Sequence, residues 1–206
     1  MINKYHYWTF KEVLSKKACE DIINFSKEKR KKIGLTGGLK EKELSKKDIK
    51  KLKQKRNSDI VWLNESWIYN QILPYVRIAN KNAGWNYQLD NSEKTQFTIY
   101  KKGQHYDWHM DSFSTVYKNN TDKNLLGKIR KLSMTVSLTD PKEYKGGDFE
   151  FKVLDGKGDS IIHKCKEIRP QGSIIVFPSY MFHRVTPITK GERNSLVSWI
   201  SGNPYV

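Results

Sequence analysis

The stretch Tyr100-Lys-Lys-Gly-Gln-His-Tyr-Asp-Trp-His-Met-Asp111 ends with a histidine and an aspartate two positions apart, His109 and Asp111. Alternate residues of a β-strand point to the same side, so these two side chains are expected to emerge together while Met110 points away. A second histidine, His183, lies further along the chain. Two imidazoles and one carboxylate can bind one face of a metal ion and leave the opposite face open. We therefore predict that His109, Asp111 and His183 are metal ligands.

The surroundings of these residues argue against a chance match. An isolated His-x-Asp pair arises by chance in many proteins, and most single histidines are simply packed or solvated. In this chain Gly146 and Gly147 lie between the ligands, the stretch 172–178 leads up to His183, and a cation and a hydroxyl follow it, Arg193 and Ser195. An open metal face is what non-haem Fe(II) oxygenases need, because O2 and a co-substrate must both reach the iron. The pattern therefore favours Fe(II).

Arg193 is a candidate partner for a carboxylate. A planar guanidinium forms a bidentate pair with a carboxylate better than any other side chain does. Arg193, Ser195 and Trp199 are expected to share one face of a strand predicted over 192–201. A cation buried in an apolar barrel needs an anion. The alternative interpretation is an ordinary surface arginine.

With these motifs the chain resembles the prolyl 4-hydroxylase-like 2-oxoglutarate and Fe(II)-dependent oxygenases, close to the bacterial PKHD-type hydroxylases. The resemblance covers about residues 8–201 and is strongest over 96–199. It implies that the three predicted ligands hold iron and that Arg193 pairs with the distal carboxylate of 2-oxoglutarate. It also implies that Tyr100 hydrogen-bonds the same carboxylate and that Ser195 assists. Ascorbate is a further candidate cofactor.

The chain departs from some relatives at the site. Animal collagen-type relatives have a lysine where Arg193 stands, and some relatives have a threonine at Val197. Nucleic-acid demethylases of the wider superfamily carry a second arginine at the position of Trp199, which argues against that branch. Tyr106, Asp107 and Trp199 are candidates for the second shell or the substrate pocket. The Asp107 carboxylate could equally be exposed to solvent, and we interpret His105 as a non-ligand.

The second half of the chain predicts a β fold. Short runs punctuated by Gly, Pro and Asp are typical of a sandwich or barrel. The predicted strands cover 96–101, 106–110, 131–139, 148–153, 160–169, 173–177, 183–187 and 192–201. Eight strands in two sheets form a double-stranded β-helix, the jelly roll of cupin-like barrels. The expected fold class is thus mainly β with N-terminal helices on one outer face.

The first part of the chain is predicted to be helical. Ser15 can cap a helix over 16–28, and Ser45 with Asp48 forms a capping box that opens a short basic helix, with Leu44 and Ile49 as its hydrophobic staple. A strand over 59–63 and a helix over 67–82 follow, in which Pro74 should cause a bend or a break. We expect one domain over 1–206, with helical support and a basic flap in 1–90 and the jelly-roll core in 91–206. The loop 112–130 and the segment 34–59 are candidate flaps over the site.

The net charge of +16 is concentrated in one segment. Residues 27–56 hold fourteen Lys/Arg against four Asp/Glu. One interpretation is a solvated basic helix and loop. The other is a surface that attracts an acidic protein or nucleic acid. The segment contains no aromatic residue, which makes nucleic acid the less favoured partner because no base-stacking platform is evident.

Composition and sequence limit the cellular location that can be expected for the protein. The chain has no run of 18 apolar residues and no signal-peptide core near its start, so no membrane segment is expected. Cys19 and Cys165 are far apart and form no metal or redox motif. We therefore expect a cytoplasmic protein, and the richness in Lys, Asn and Ile is compatible with an AT-rich coding genome such as that of a small bacterium or a phage.

The expected activity is hydroxylation of a substrate C–H bond, with release of CO2 and succinate. A prolyl or other residue of an intracellular protein is the leading substrate, and an acidic partner would suit the basic segment. One alternative is a hydroxylase of a free amino acid or small metabolite. The other is a non-catalytic binding module that uses the basic surface. The metal and Arg193 motifs disfavour the binding module, because a binder does not need them.

Overall fold

Two antiparallel sheets face each other in the computed structural model, which describes residues 5–29, 31–34, 45–112 and 115–205. The strands are β1 Trp8–Phe10, β2 Lys32–Ile33, β3 Arg56–Asn57, β4 Asp59–Leu63, β5 Asn91–Ser92, β6 Thr95–Tyr100, β7 His105–His109, β8 Ile129–Ser137, β9 Lys145–Gly146, β10 Phe149–Leu154, β11 Ser160–Lys164, β12 Ile174–Pro178, β13 His183–Val185, β14 Ile188–Lys190 and β15 Arg193–Gly202. The helices are α1 Lys16–Lys27, α2 Lys46–Lys55 and α3 Ser66–Asn82.

The larger sheet has the order β1-β12-β8-β15-β6-β4-β2, with β5 beside β15, and the smaller sheet has the order β11-β10-β13-β7-β3. All eight strands predicted for the second half are present, four in each sheet: β6, β8, β12 and β15 in the larger and β7, β10, β11 and β13 in the smaller. The fold prediction is therefore confirmed. The six strands that were not predicted, β1, β2, β3, β5, β9 and β14, have only two or three residues each. Such runs are too short to show alternation.

Helices α1 and α3 pack on the outer face of the larger sheet, as expected. Ser15 caps α1 by accepting a hydrogen bond from the Ala18 backbone N–H. Cys19 and Ile22 of α1 and Ile72 of α3 are fully buried in a cluster with the outward-facing side chains of β6, β8, β12 and β15. No helix within the described ranges is long and apolar enough to cross a membrane.

Pro74 does not break α3, so that alternative was wrong. The helix runs without interruption from Ser66 to Asn82. Proline removes one backbone N–H and leaves the carbonyl four residues earlier, that of Asn70, without its helical partner. Both Pro74 and Asn70 are exposed, so water can satisfy that carbonyl.

Helix α2 lies apart from α1 and α3. It lies beside β7 and beside β3, an edge strand of the smaller sheet. The predicted capping box between Ser45 and Asp48 is present. Near the other end, the Gln54 carbonyl lies 3.0 Å from His105 Nε2, and Lys55 Nζ donates to the Trp108 carbonyl. The predicted staple residue Leu44 lies outside the described residues. The basic helix is thus attached directly to the strand that carries His109.

Two adjacent glycines shape the space between the sheets. Gly146 and Gly147 both have positive φ, at 76° and 64°. A Cβ on Gly147 would lie 2.4 Å from Ile188 Cδ1 and 3.1 Å from Arg193 Cδ. Only glycine allows both the left-handed backbone and the close approach of these two side chains.

We predict that Gly147→Ala destabilises the fold more than Gly158→Ala. Both glycines have positive φ, but a Cβ on Gly158 would meet nothing within 4 Å. The control should cost about 1–2 kcal/mol from backbone strain alone, while Gly147→Ala must in addition displace Ile188. Urea unfolding would measure both free energies, and equal losses would show that the contact with Ile188 is unimportant.

Candidate metal and co-substrate site

The pairing of β13 with β7 places His183 directly opposite His109. Asp111 follows the end of β7, where its backbone N–H donates to the Ser179 carbonyl. Its two carboxylate oxygens lie 3.7 Å from His109 Nε2 and 3.5 Å from His183 Nε2. One ligand atom from each residue lies within 4.8 Å of the other two. The structure therefore brings the three predicted ligands together at the spacing that a metal ion needs.

The backbone fixes the orientation of both imidazoles. His109 Nδ1 lies 2.7 Å from the Asp107 carbonyl, and His183 Nδ1 lies 2.9 Å from the Met181 carbonyl. A carbonyl oxygen can only accept, so each Nδ1 carries the hydrogen in a neutral ring. Each Nε2 then presents its lone pair to the centre of the site, as metal-binding histidines do.

The protonation states suit a metal. Burial, followed by the neighbouring His183, lowers the pKa of His109 to about 3, so its imidazole is neutral at pH 7. Burial raises the pKa of Asp111, but the neighbouring His183, His109 and Arg130 lower it by more than burial raises it. The net result is a pKa of about 2. Neutral imidazole and ionised carboxylate are the forms that bind metal ions.

A β-bulge changes which neighbours of His109 face the site. The register between β13 and β7 shifts between His183 and Val185, so that Val185 pairs with Tyr106. Tyr106 consequently stacks on His109, with ring centroids 3.4 Å apart. The Asp107 side chain is 47% exposed and lies 3.9 Å from Lys55. Asp107 therefore orients His109 through its backbone carbonyl, and of the two possibilities left open for its carboxylate the structure shows the solvent-exposed one.

Arg193 is a buried cation on the face of the larger sheet that looks toward the metal ligands. It is 2% exposed, and among the described residues no carboxylate lies within 4 Å of it. Its Nη1 donates to Ser195 Oγ at 3.3 Å, and its guanidinium lies 5.8 Å from the ring of Tyr100 on the neighbouring strand. Burial raises the pKa of Tyr100, so its phenol is a donor at neutral pH. The three predicted co-substrate residues therefore form one group of donors that lacks an anion.

Arg56 is a second buried cation, which sequence analysis had counted only as part of the basic segment. It is 6% exposed and donates to Ser58 Oγ, and its guanidinium lies 4.5 Å from the Tyr106 ring. No described carboxylate pairs with it. The pairing of β3 with β7 brings it to the site, and no sequence motif had indicated that pairing.

A further ion pair, also not predicted, lies beside Asp111. Arg130 donates to both carboxylate oxygens of Glu93, at 2.9 and 2.6 Å, and its guanidinium lies 4.1 Å from the Trp199 ring. The Trp199 indole N–H has no hydrogen-bond partner of normal geometry within the described chain, yet it lies close enough to Asp111 to lower the pKa of that carboxyl. Tyr117, from the loop predicted to be a flap, also donates to Glu93. These contacts attach the loop to the mouth of the site.

Comparison with known families agrees with this geometry. The model of the 2OG-Fe(II) oxygenase superfamily matches residues 95–201. A PKHD-type hydroxylase of Alteromonas mediterranea is 37% identical over 105 residues, which are 50% of this chain and 41% of that protein. A PKHD-type hydroxylase of a Synechococcus strain is 39% identical over 99 residues, 48% of this chain and 36% of that one. The matches thus span less than half the length of these relatives.

Two solved structures share the fold. A viral collagen prolyl hydroxylase from Paramecium Bursaria Chlorella virus-1 has a TM-score of 0.63 and 21% identity, covering 97% of each chain. A Pseudomonas putida prolyl-4-hydroxylase has a TM-score of 0.65 and 17% identity, covering 98% of this chain and 95% of that one. Together with the His-Asp-His group, the match to the family model supports Fe(II) and 2-oxoglutarate as metal and co-substrate. Because the family model covers just over half of the chain, this protein belongs to the 2OG-Fe(II) oxygenase superfamily.

Proposed function

We propose that this protein is a 2-oxoglutarate- and Fe(II)-dependent dioxygenase that hydroxylates a C–H bond. One observation carries the proposal: a buried His109, Asp111 and His183 cluster faces a buried arginine, Arg193, that has no carboxylate partner among the described residues. A metal ion satisfies the first group and a dicarboxylic co-substrate satisfies the second. We also propose that residues 1–206 form one domain, since α1 and α3 share a hydrophobic cluster with the larger sheet.

The chain's own residues bind and orient the reactants. His109, Asp111 and His183 would hold Fe(II), while Arg193 and Tyr100 would hold the distal carboxylate of 2-oxoglutarate. When bound, the pair supplies the oxidative chemistry, in which O2 and 2-oxoglutarate yield CO2, succinate and one oxygen atom for the substrate. These three protein ligands would leave coordination positions for O2 and the co-substrate.

Aromatic residues and arginines would enclose the substrate. Tyr106 is partly buried, stacks on His109 and has the Arg56 guanidinium over its ring. Across the site, Trp199 lies between Arg130 and the 40%-exposed Trp62. This enclosure would exclude water from the metal, and excluding water protects reactive species from side reactions.

We propose that the substrate is a residue of a protein, presented by an acidic segment that docks on α2. Lys47, Lys50 and Lys51 are exposed and form no ion pair with any described residue. Some lysines elsewhere on the surface are paired, such as Lys29 with Glu65 and Lys101 with Asp59. Unpaired lysines beside the metal-binding strand form a positive surface that would attract acidic partners.

Two observations favour a peptide over other ligands. One structural neighbour, a prolyl hydroxylase from Trichoplax adhaerens, was solved in complex with a peptide fragment of hypoxia inducible factor (TM-score 0.61, 15% identity, 97% of this chain and 84% of that one). Helix α2 carries no aromatic side chain on which a nucleic-acid base could stack. A free amino acid would leave α2 without a role, and a non-catalytic binder would leave the metal group without one.

We expect Asp111→Ala to abolish succinate formation from 2-oxoglutarate in the presence of Fe(II), because it removes one of three protein ligands. Asp107→Ala is the matched control, since it removes a nearby carboxylate but keeps the backbone carbonyl that orients His109. Succinate release and bound iron would be measured for both variants. Normal succinate formation by Asp111→Ala at full iron content would contradict the proposed ligand set.

We expect Arg193→Leu to raise the KM for 2-oxoglutarate at least tenfold. A charge-assisted hydrogen bond in a buried site contributes about 1.5–3 kcal/mol. Arg193→Lys should be intermediate, because an ammonium cannot form the planar fork. Steady-state kinetics would measure the effect, and an unchanged KM in the leucine variant would place the carboxylate partner elsewhere.

We expect Lys47→Glu combined with Lys51→Glu to weaken binding of a fluorescent oligoglutamate peptide at low salt. The two lysines lie one turn apart on the same helix face. The wild-type interaction should fade as salt rises, because exposed charges are screened over about 10 Å at 0.1 M. Lys11→Glu combined with Lys157→Glu changes the net charge equally at exposed positions outside α2. Equal weakening in both double variants, or tighter binding of an oligonucleotide of matched charge, would count against peptide docking on α2.

A further inference from the structure

The smaller sheet ends in a long strand that is open on one side. Its order is β11-β10-β13-β7-β3, so β11 and β3 are its two edges. Strand β3 has two residues, and the edge strands of the larger sheet, β1 and β2, have three and two. Strand β11 has five residues, and within the described ranges no strand pairs with its outer side. An edge of this length is a site at which another strand can be added.

The backbone groups of β11 alternate between its neighbour and solvent. The Cys165 N–H, just beyond β11, donates to the Phe149 carbonyl of β10. In an antiparallel ladder, residues that bond the neighbouring strand alternate with residues whose backbone groups point away from it. Counting back from Cys165, residues 163 and 161 bond β10. The outer edge is therefore formed by the N–H and C=O groups of the even-numbered residues, Ser160, Ile162 and Lys164.

The side chains of this edge are apolar for a surface strand. Ile161 is 45% exposed and Ile162 is 54% exposed, while Leu154 at the end of β10 is 66% exposed. Protein edges are usually protected by unpaired charges or by proline. The single lysine of β11, Lys164, is already paired with Asp148. Clustered exposed apolar side chains mark surfaces that contact a partner.

The segment around β11 is neutral, although the whole chain carries a net charge of +16. Residues 155–167 contain three lysines and three acidic residues: Lys157, Lys164, Lys166, Asp155, Asp159 and Glu167. An acidic peptide or a nucleic acid would therefore gain no net attraction from this segment. A partner strand of equally mixed charge suits it better, and a second copy of the same segment has that property.

We propose that β11 is a self-association surface, on which β11 of a second copy pairs in antiparallel orientation about a two-fold axis at Ile162. In this register Ile162 lies opposite its own copy, and Ser160 lies opposite Lys164 of the partner subunit. These are the residues whose backbone groups point outward, so the new ladder satisfies them. The interface is isologous, as expected for a two-fold dimer.

The charges at the ends of the pairing select this register. It brings Lys157 toward Glu167 of the partner subunit, which is a favourable pair. A shift by one residue would place inward-bonding residues at the edge. A shift to either neighbouring register of the same backbone phase would bring Asp155 or Asp159 toward that glutamate, and like charges opposite each other are destabilising.

The dimer would leave the metal site and helix α2 accessible. Strands β11 and β3 are at opposite edges of the smaller sheet, so two copies joined at β11 would form a ten-stranded sheet with β3 at both far edges. Helix α2 precedes β3 in each copy. Under the proposed docking on α2, one dimer would present two basic helices and could bind an acidic partner bivalently.

Cysteine cross-linking tests the register. Ile162→Cys would place two thiols opposite each other with Cα atoms about 5.5 Å apart, which is within the range of a disulfide. Ser160→Cys is the matched control, because Ser160 is also exposed on β11 but its two copies would lie about 14 Å apart. Oxidised glutathione should link Ile162→Cys roughly tenfold faster than the control. The wild-type chain, whose cysteines are buried, gives the background. Equal rates, or no linked dimer from Ile162→Cys, would overturn the proposal.

Sedimentation velocity tests the association without a cross-link. The wild-type protein should show a dimer fraction that rises with protein concentration. Ile162→Lys places like charges directly opposite each other and should raise the dimer Kd about fivefold or more. Ile78→Lys makes the same change at an exposed isoleucine of α3 and should leave the Kd unchanged. A wild-type protein that stays monomeric up to its solubility limit, or an equal effect of both variants, would contradict pairing through β11.

Discussion

The antiparallel pairing of β7 with β13 is the interaction on which the site depends. It aligns His109 with His183, two residues far apart in the sequence, and its bulge turns Tyr106 toward the same side. The backbone carbonyls of Asp107 on β7 and of Met181 just before β13 then hold both imidazoles in the orientation that exposes Nε2. Because strand pairing and not flexible side chains sets these positions, the ligand group is preorganised before any metal binds.

The three buried arginines of the site differ in whether a carboxylate pairs with them, and this difference separates their roles. Arg130 is neutralised by a bidentate contact with Glu93 and supports the Trp199 ring, so it is a structural element of the mouth. Arg193 and Arg56 are also buried, but no described carboxylate neutralises either of them. Burying an unpaired charge costs stability that the fold alone does not recover. An anionic ligand removes that cost when it binds, which explains how a stable jelly roll can keep such residues.

Helix α2 is connected to the metal ligands through a short chain of contacts. Arg56 follows the helix directly and stacks on Tyr106, and Tyr106 stacks on His109. Lys55, at the end of the helix, bonds the backbone of the same strand. Under the proposed docking, a partner on the lysines of α2 would contact an element whose position is tied to a metal ligand.

Local patterns in the sequence determined the jelly-roll strands and the caps at Ser15 and Ser45, because alternation and capping act over a few residues. The chemistry of the side chains, together with short motifs around them, indicated the set His109, Asp111, His183 and Arg193. The roles of Arg56 and Glu93 were decided only by tertiary structure. Arg56 reaches the site through pairing of two-residue β3 with β7, and Glu93 through contact with a distant loop. The bulge that turned Asp107 outward likewise depends on the partner strand. The register between distant strands is set only when the sheet assembles, so it cannot be predicted from a local sequence pattern.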